Sequence, residues 1–243
     1  MSAGAALPPF ERAALMIDMD GTLLDIAATP DQVMVPEGLP ETLRRVRELL
    51  GDALAVVSGR PVEQLEALLG DGPFALAGEH GGAVRPRPAA EVQRVPLPMP
   101  NPAWVEQAAE LAEAHPGVML ETKRRGFVLH YRAVPALGPM LQDALATMMG
   151  NTSAFTLLAA RMAWEVKPAG ADKGTAVTTL MREPPFRGRL PVFIGDDVTD
   201  EDGIETACAM GGAGMLVGEV FGDAPGVRAW LGRIAAEQGW PAV

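Results

Sequence analysis

Apolar residues in this chain gather in short continuous runs that stop at glycine or at acidic residues. Ala13 to Ile17 is one such run and Leu54 to Val57 another. Neither alternates with polar residues, which predicts strands buried on both faces, as in a parallel sheet. Between them Leu39, Leu43, Val46, Leu49 and Leu50 recur at helical spacing, opened by Glu37-Gly38-Leu39-Pro40 and closed by Gly51. The unit is therefore strand, helix, strand. A second amphipathic helix is expected over 61–69 and a third strand over 74–77, ending at Gly78-Glu79-His80-Gly81-Gly82. Such alternation implies an α/β protein with a doubly wound parallel sheet.

The pattern then breaks. Val84 to Pro102 is crowded with proline and arginine and reads as a crossing between domains. Beyond it the spacing predicts a helix over 104–114, strands over 118–122 and 127–132, a helix over 136–149 and strand-like sequence from Phe155 to Val166. This is a small α+β insertion. The earlier pattern resumes with a helix over 173–181, a buried strand over 191–194 that runs into Gly195-Asp196-Asp197, and a last apolar run at Met215 to Val217. The expected domains are a core formed by 1–85 with 166–243 and an insertion over 86–165. A chain of 243 residues is long for one core and short for two average domains, which fits a core with one insertion.

Composition narrows the partners. The net charge of −11 disfavours nucleic acid, whose phosphates need clustered Lys and Arg, and it suits cation binding. No run approaches the roughly 18 apolar residues that cross a bilayer, and residues 1–12 lack the parts of a secretory signal, so a soluble, cytoplasmic protein is expected; it is separately expected to be a monomer. The single cysteine, Cys208, cannot form an internal disulfide and reads as a small buried hydrophobe.

Asp18 and Asp20 stand two apart at the end of a strand, where period-2 geometry can turn both carboxylates into one pocket. Asp18, Ser58 and Asp196 each follow a predicted buried strand, and ligands of open parallel sheets bind beyond those carboxyl ends. Gly21 permits a sharp turn that brings backbone N–H groups near an anion, and Thr22 offers a hydroxyl. Grouped carboxylates repel unless a cation offsets them, and hard oxygen ligands beside a phosphate point to Mg²⁺.

Asp18-Met19-Asp20-Gly21-Thr22, Ser58-Gly59-Arg60, Lys173-Gly174 and Gly195-Asp196-Asp197 resemble, in order, the four motifs of haloacid-dehalogenase-type phosphatases. The resemblance implies Asp18 as nucleophile and Asp20 as general acid, then base. It implies that Gly21, Thr22, Ser58, Gly59, Arg60 and Lys173 hold the phosphoryl group, and that Asp18, Asp20, Asp196, Asp197 and Asp200 hold Mg²⁺ directly or through water. It also makes the insertion a C2-type cap that supplies specificity. Gly78-Glu79-His80-Gly81, Glu121-Thr122-Lys123, His130-Tyr131-Arg132, Glu165-Val166-Lys167-Pro168, Asp172-Lys173-Gly174 and the acidic run 195–202 together resemble the trehalose-6-phosphate phosphatase family. That implies trehalose 6-phosphate as substrate, bound by Glu79, His80, Lys123, His130, Arg132 and Glu165. Trp164 reads as a core aromatic. A phosphatase for another sugar phosphate or a glycosyl-phosphoglycerate stays open, as do a phosphoaccepting receiver and a catalytically silent sugar-phosphate-binding relative. The long insertion and the second carboxylate, Asp20, count against a receiver.

Overall fold

The computed structural model describes residues 6–27, 29, 32–160 and 162–242. The first five residues of the expected lead-in lie outside them. The chain forms two compact units, Met1–Val95 with Asp172–Val243, and Pro96–Ala171.

In the first unit the elements are β1 (Ala13–Ile17), α1 (Leu39–Leu49), β2 (Leu54–Val57), α2 (Val62–Leu69), β3 (Ala75–Gly78), β4 (Ala83–Arg85) and β5 (Gln93–Arg94). After the second unit follow α5 (Lys173–Leu180), β10 (Leu190–Gly195), α6 (Glu201–Ala209), β11 (Ala213–Leu216), α7 (Val217–Val220) and α8 (Ala224–Glu237). The second unit holds α3 (Pro102–Ala114), β6 (Met119–Lys123), β7 (Gly126–His130), α4 (Gly138–Met149), β8 (Phe155–Ala160) and β9 (Ala163–Pro168).

The core sheet has the order β11-β10-β1-β2-β3-β4-β5, and its first five strands run parallel. The unbroken apolar strands mean what the pattern predicts. Leu15 and Ile17 of β1 pack with Leu43 of α1, Leu65 of α2 and Trp230 of α8 on one face, whereas Ala14 and Met16 pack with Val177 of α5 and Ala207 of α6 on the other. Each such buried Leu or Ile is worth about 1.5–3 kcal/mol, so a charge placed in β1 would unfold the unit sooner than alter it. The residues left at the strand ends are then free to be polar.

Four details depart from the sequence reading. The proline-rich stretch is partly sheet: β4 and β5 add to β3 in antiparallel register, with Val84 and Arg85 buried. These strands are too short for periodicity to register, and prolines 86 and 88 lie between them. The compact units accordingly divide at Val95/Pro96 and Ala171/Asp172 rather than at 85/86 and 165/166. Phe155 to Val166 is not one strand but the hairpin β8–β9, with Ala160 opposite Ala163. Cys208 is exposed, because α6 buries Gly203 and Ala207 and turns Cys208 outward. Among the described residues no helix is long and apolar enough to cross a membrane.

In the second unit the sheet order is β6-β7-β9-β8, antiparallel throughout. Period-2 alternation separates its faces. Phe127, Leu129 and Val166 pack against Ala108 of α3 and Leu141 and Leu145 of α4. Trp164 is on that side, its indole N–H donating to the Gly138 carbonyl at 2.8 Å, so it is a core aromatic.

Candidate active site

In the core sheet β10, β1, β2 and β3 are neighbours, so the loops after them converge beyond one edge. Asp18 follows β1 and its N–H donates to the Ile194 carbonyl of β10 at 2.9 Å. Lys173 opens α5, whose N-cap Asp172 accepts from the Thr175 N–H at 2.6 Å. From there the Lys173 ammonium donates to Asp18 Oδ1 and to Asp200 Oδ1, each at 2.6 Å. All three residues are buried, at 4% or less exposure.

Asp200 is fixed further by the Asp196 and Asp197 N–H groups, which donate to its Oδ2 at 3.1 and 3.2 Å. Asp200 is fully buried, whereas Glu201 and Asp202 of the same acidic run are exposed. Asp18, Asp196 and Asp200 offer oxygens all within 4.8 Å of one another. Three carboxylates therefore face one ammonium. Burial first, then the charge of Asp200, hold the Asp18 carboxyl well above the usual range despite Lys173. Burial with Asp197 and Asp200 pushes Asp196 up to about 6. Burial alone would lower the Lys173 ammonium, but Asp18 and Asp200 outweigh it and keep the group charged. The surplus negative charge and the all-oxygen donor set fit a hard divalent cation such as Mg²⁺.

Two glycines make this closeness possible. Gly21 has φ +89°, and a Cβ there would stand 2.2 Å from Asp196 Oδ2. A Cβ on Gly195 would stand 2.1 Å from Asp200 Cγ.

Other expected residues have partners within the site. The buried Thr22 hydroxyl donates to Asp196 Oδ1 at 3.2 Å. Asp197 accepts from the Thr199 N–H and hydroxyl at 2.7 and 2.6 Å, which turns its Oδ1 to capping the turn at 198–200. Arg60 grips Asp20 with both ends of its guanidinium, Nε to Oδ2 at 2.7 Å and Nη2 to Oδ1 at 2.8 Å. Ser58 is buried, its Oγ accepting from the Arg60 N–H at 3.2 Å. His80 is buried too, with its ring against Gly59. Glu79 accepts from Arg94 Nη1 at 2.6 Å.

In the second unit the register aligns Glu121 of β6, Val128 of β7 and Glu165 of β9, and neighbours two along each strand share their face. That face carries Glu121, Lys123, His130, Glu165 and Lys167, opposite the helix-packed side. Lys123 donates to Glu165 at 2.8 Å, and His130 Nε2 lies 2.8 Å from Glu121. Burial raises Glu121, but His130 and Lys123 prevail and hold its carboxyl below the usual range. Arg132 lies past the end of β7, exposed in a turn. Glu121 stands in one of the motifs that carry the resemblance but not among the residues expected to bind sugar. Its position two before Lys123 on a strand was the signal that could have found it.

A doubly covered parallel sheet with aspartates at its strand ends and a lysine at the start of a helix, interrupted by an α+β unit, is a haloacid-dehalogenase-like fold. Residues 16–217 match the trehalose-phosphatase family. The chain is 35% identical over 230 residues to a trehalose-6-phosphate phosphatase of Escherichia coli, covering 90% of this chain and 85% of that one. It is 35% identical to a probable trehalose-phosphate phosphatase of Sinorhizobium fredii, over 92% and 86% of the two chains. The fold is similar to that of the Candida albicans trehalose-6-phosphate phosphatase C-terminal domain, with a TM-score of 0.75, 22% identity and 93% of each chain covered. The chain belongs to the trehalose-phosphatase family, whose members are phosphoric monoester hydrolases.

Proposed function

We propose that this protein hydrolyses trehalose 6-phosphate to trehalose and inorganic phosphate, with Asp18 as the transient phosphoryl acceptor. The observation that carries this is the buried contact of Asp18 with Lys173, which lets an anionic nucleophile approach an anionic ester.

An Asp18 oxygen attacks phosphorus, the phosphorus–oxygen bond to the sugar breaks, and the departing alkoxide takes a proton from Asp20. The resulting Asp20 carboxylate removes a proton from water, whose oxygen attacks the phosphorus of phospho-Asp18. Asp18 is released as a carboxylate, and Asp20 is again protonated. The Arg60 guanidinium occupies both Asp20 oxygens. A phosphate ester competes for that guanidinium and frees the Asp20 carboxyl to face the leaving oxygen. Ser58, Gly59, Thr22 and the turn at Gly21 line the phosphoryl position. Asp18, Asp196 and Asp200, together with the Asp20 carbonyl and Asp197, are the groups that would hold Mg²⁺. Bound there, Mg²⁺ supplies charge stabilisation at the transferring phosphoryl oxygens.

The polar face of the second unit is read as the sugar-recognising part of a cap. Lys123, His130, Glu165 and Arg132 are its proposed hydroxyl partners, with Glu121 added, and Glu79 and His80 contribute from the core unit. Charged partners strengthen such hydrogen bonds. Lys123→Ala is expected to lower kcat/KM for trehalose 6-phosphate about 10- to 100-fold, the worth of one charge-assisted hydrogen bond at about 1.5–3 kcal/mol. Hydrolysis of p-nitrophenyl phosphate, which has no sugar hydroxyls, should change far less. A single chain is the proposed working unit, because every acid of the cluster comes from one polypeptide, and a chain with one cysteine suits the cytoplasm.

Phosphate release by purified protein with Mg²⁺ over a panel of sugar phosphates and mannosyl-3-phosphoglycerate tests the assignment. Trehalose 6-phosphate should give the highest kcat/KM. Equal or better turnover of another ester would overturn it.

A further inference from the structure

Arg94, the last residue of the short edge strand β5, has no part in the chemistry above, yet it joins the elements on either side of the Ser58–Arg60 loop. Its Nη1 donates to Glu79 Oε1 at 2.6 Å, and its Nη2 is ion-paired with Glu63 in the first turn of α2. Helix α2 begins directly after that loop, and Glu79 begins the turn that leaves β3. The Val95 N–H donates to the Gly82 carbonyl at 2.9 Å, which anchors the end of β5 beside the same turn.

The turn itself is a conformation that needs support. Glu79 and His80 both have φ +54°, the left-handed region that side-chain-bearing residues avoid. Held there, the Glu79 N–H donates to the Arg60 carbonyl and the His80 N–H to the Ser58 carbonyl, each at 3.0 Å. A Cβ on Gly59 would stand 2.7 Å from His80 Nε2, so the imidazole closes on the loop between those two bonds. Glu79 Oε2 is buried and has no hydrogen-bond partner among the described residues, which leaves Arg94 to compensate the carboxylate. Without the guanidinium, a largely buried charge in a strained turn would stand unpaired, and the turn would relax. The Ser58–Arg60 backbone would lose those two bonds with it and keep the one from the Ser58 N–H to the Ala77 carbonyl of β3, at 2.8 Å.

From this we infer that Arg94 is a positioning residue for phosphoryl transfer, which acts through Glu79 and His80 to set Ser58 and the Asp20-binding Arg60. The inference rests on the phosphatase reading, and Glu79 then serves the phosphate loop in addition to any sugar contact. It differs from a sugar-specificity role in what it affects: both large and small phosphate esters should suffer alike.

The test measures kcat and KM for trehalose 6-phosphate and for p-nitrophenyl phosphate, with Mg²⁺, in the wild type and in Arg94→Gln, Arg94→Lys, Glu79→Gln and the Arg94→Gln/Glu79→Gln pair. Arg94→Gln should lower kcat about tenfold on both esters, Arg94→Lys should restore most of it, and the pair should be no worse than Arg94→Gln alone, as for residues acting in one chain. If Arg94→Gln does not fold, Glu63→Gln removes only the outer, largely exposed end of the clamp and should give a loss of about two- to threefold on both esters. Unchanged kcat with a lowered Tm would reduce Arg94 to an ordinary ion pair, and a loss confined to trehalose 6-phosphate would place Glu79 on the sugar alone. Either overturns the inference while the wild type stays active. An inert wild type would overturn the phosphatase reading and this one with it.

Discussion

Asp18→Asn is expected to abolish turnover, with kcat falling by about 10⁴ or more, the scale seen when a nucleophile is removed from an enzyme that forms a covalent intermediate. The amide is nearly isosteric and can still accept from Lys173, whose second partner, Asp200, is untouched at 2.6 Å. The fold should therefore survive. Removing one of three mutually repelling carboxylates should even relieve the site, since burial and Asp200 already hold Asp18 above the usual range. A thermal melt beside the phosphate assay checks both halves: lost activity with an unchanged or raised Tm. Residual activity within tenfold of wild type would remove Asp18 from the chemistry.

Lys173→Met should fail in a different way. Lys173 is the one ammonium bonded to Asp18 and Asp200 among the described residues, and all three are buried. Deleting it leaves two carboxylates facing each other and Asp196 without that charge. Breaking a buried pair by removing one partner costs about 3–5 kcal/mol, which for a chain of this size lowers Tm by roughly 10 °C. Activity should be lost as well, because nothing then offsets the charge of Asp18 against an incoming phosphate. The contrast between the two variants is the informative part: both inactive, only one destabilised. A stable Lys173→Met protein would mean that the acids take up protons readily and that the ion pair contributes little.

What the sequence discloses of this molecule follows from how each feature is encoded. Ala13 to Ile17 and Leu54 to Val57 are readable because burial on both faces demands an unbroken apolar run, and such a run has few other meanings. Asp18, Asp196 and Lys173 are readable because chemistry restricts residue type at a strand end or helix start. Partnerships are not. Arg60 resting on Asp20, Thr22 on Asp196 and Asp197 capping its own turn depend on side-chain directions that spacing does not carry. Strands β4 and β5 escape because two or three residues cannot show a period, and Arg94 escapes with them. Cys208 goes astray because an average preference for burial says nothing about which side of α6 it occupies.

The most direct test of phosphoryl transfer through Asp18 is an acid quench within the first turnover of wild-type protein mixed with Mg²⁺ and trehalose 6-phosphate, followed by peptide mass spectrometry. Phosphate should be found on Asp18, and it should be absent when Asp18→Asn protein is treated in the same way. Full turnover with no phosphorylated peptide, or with phosphate on any other residue, would contradict the account.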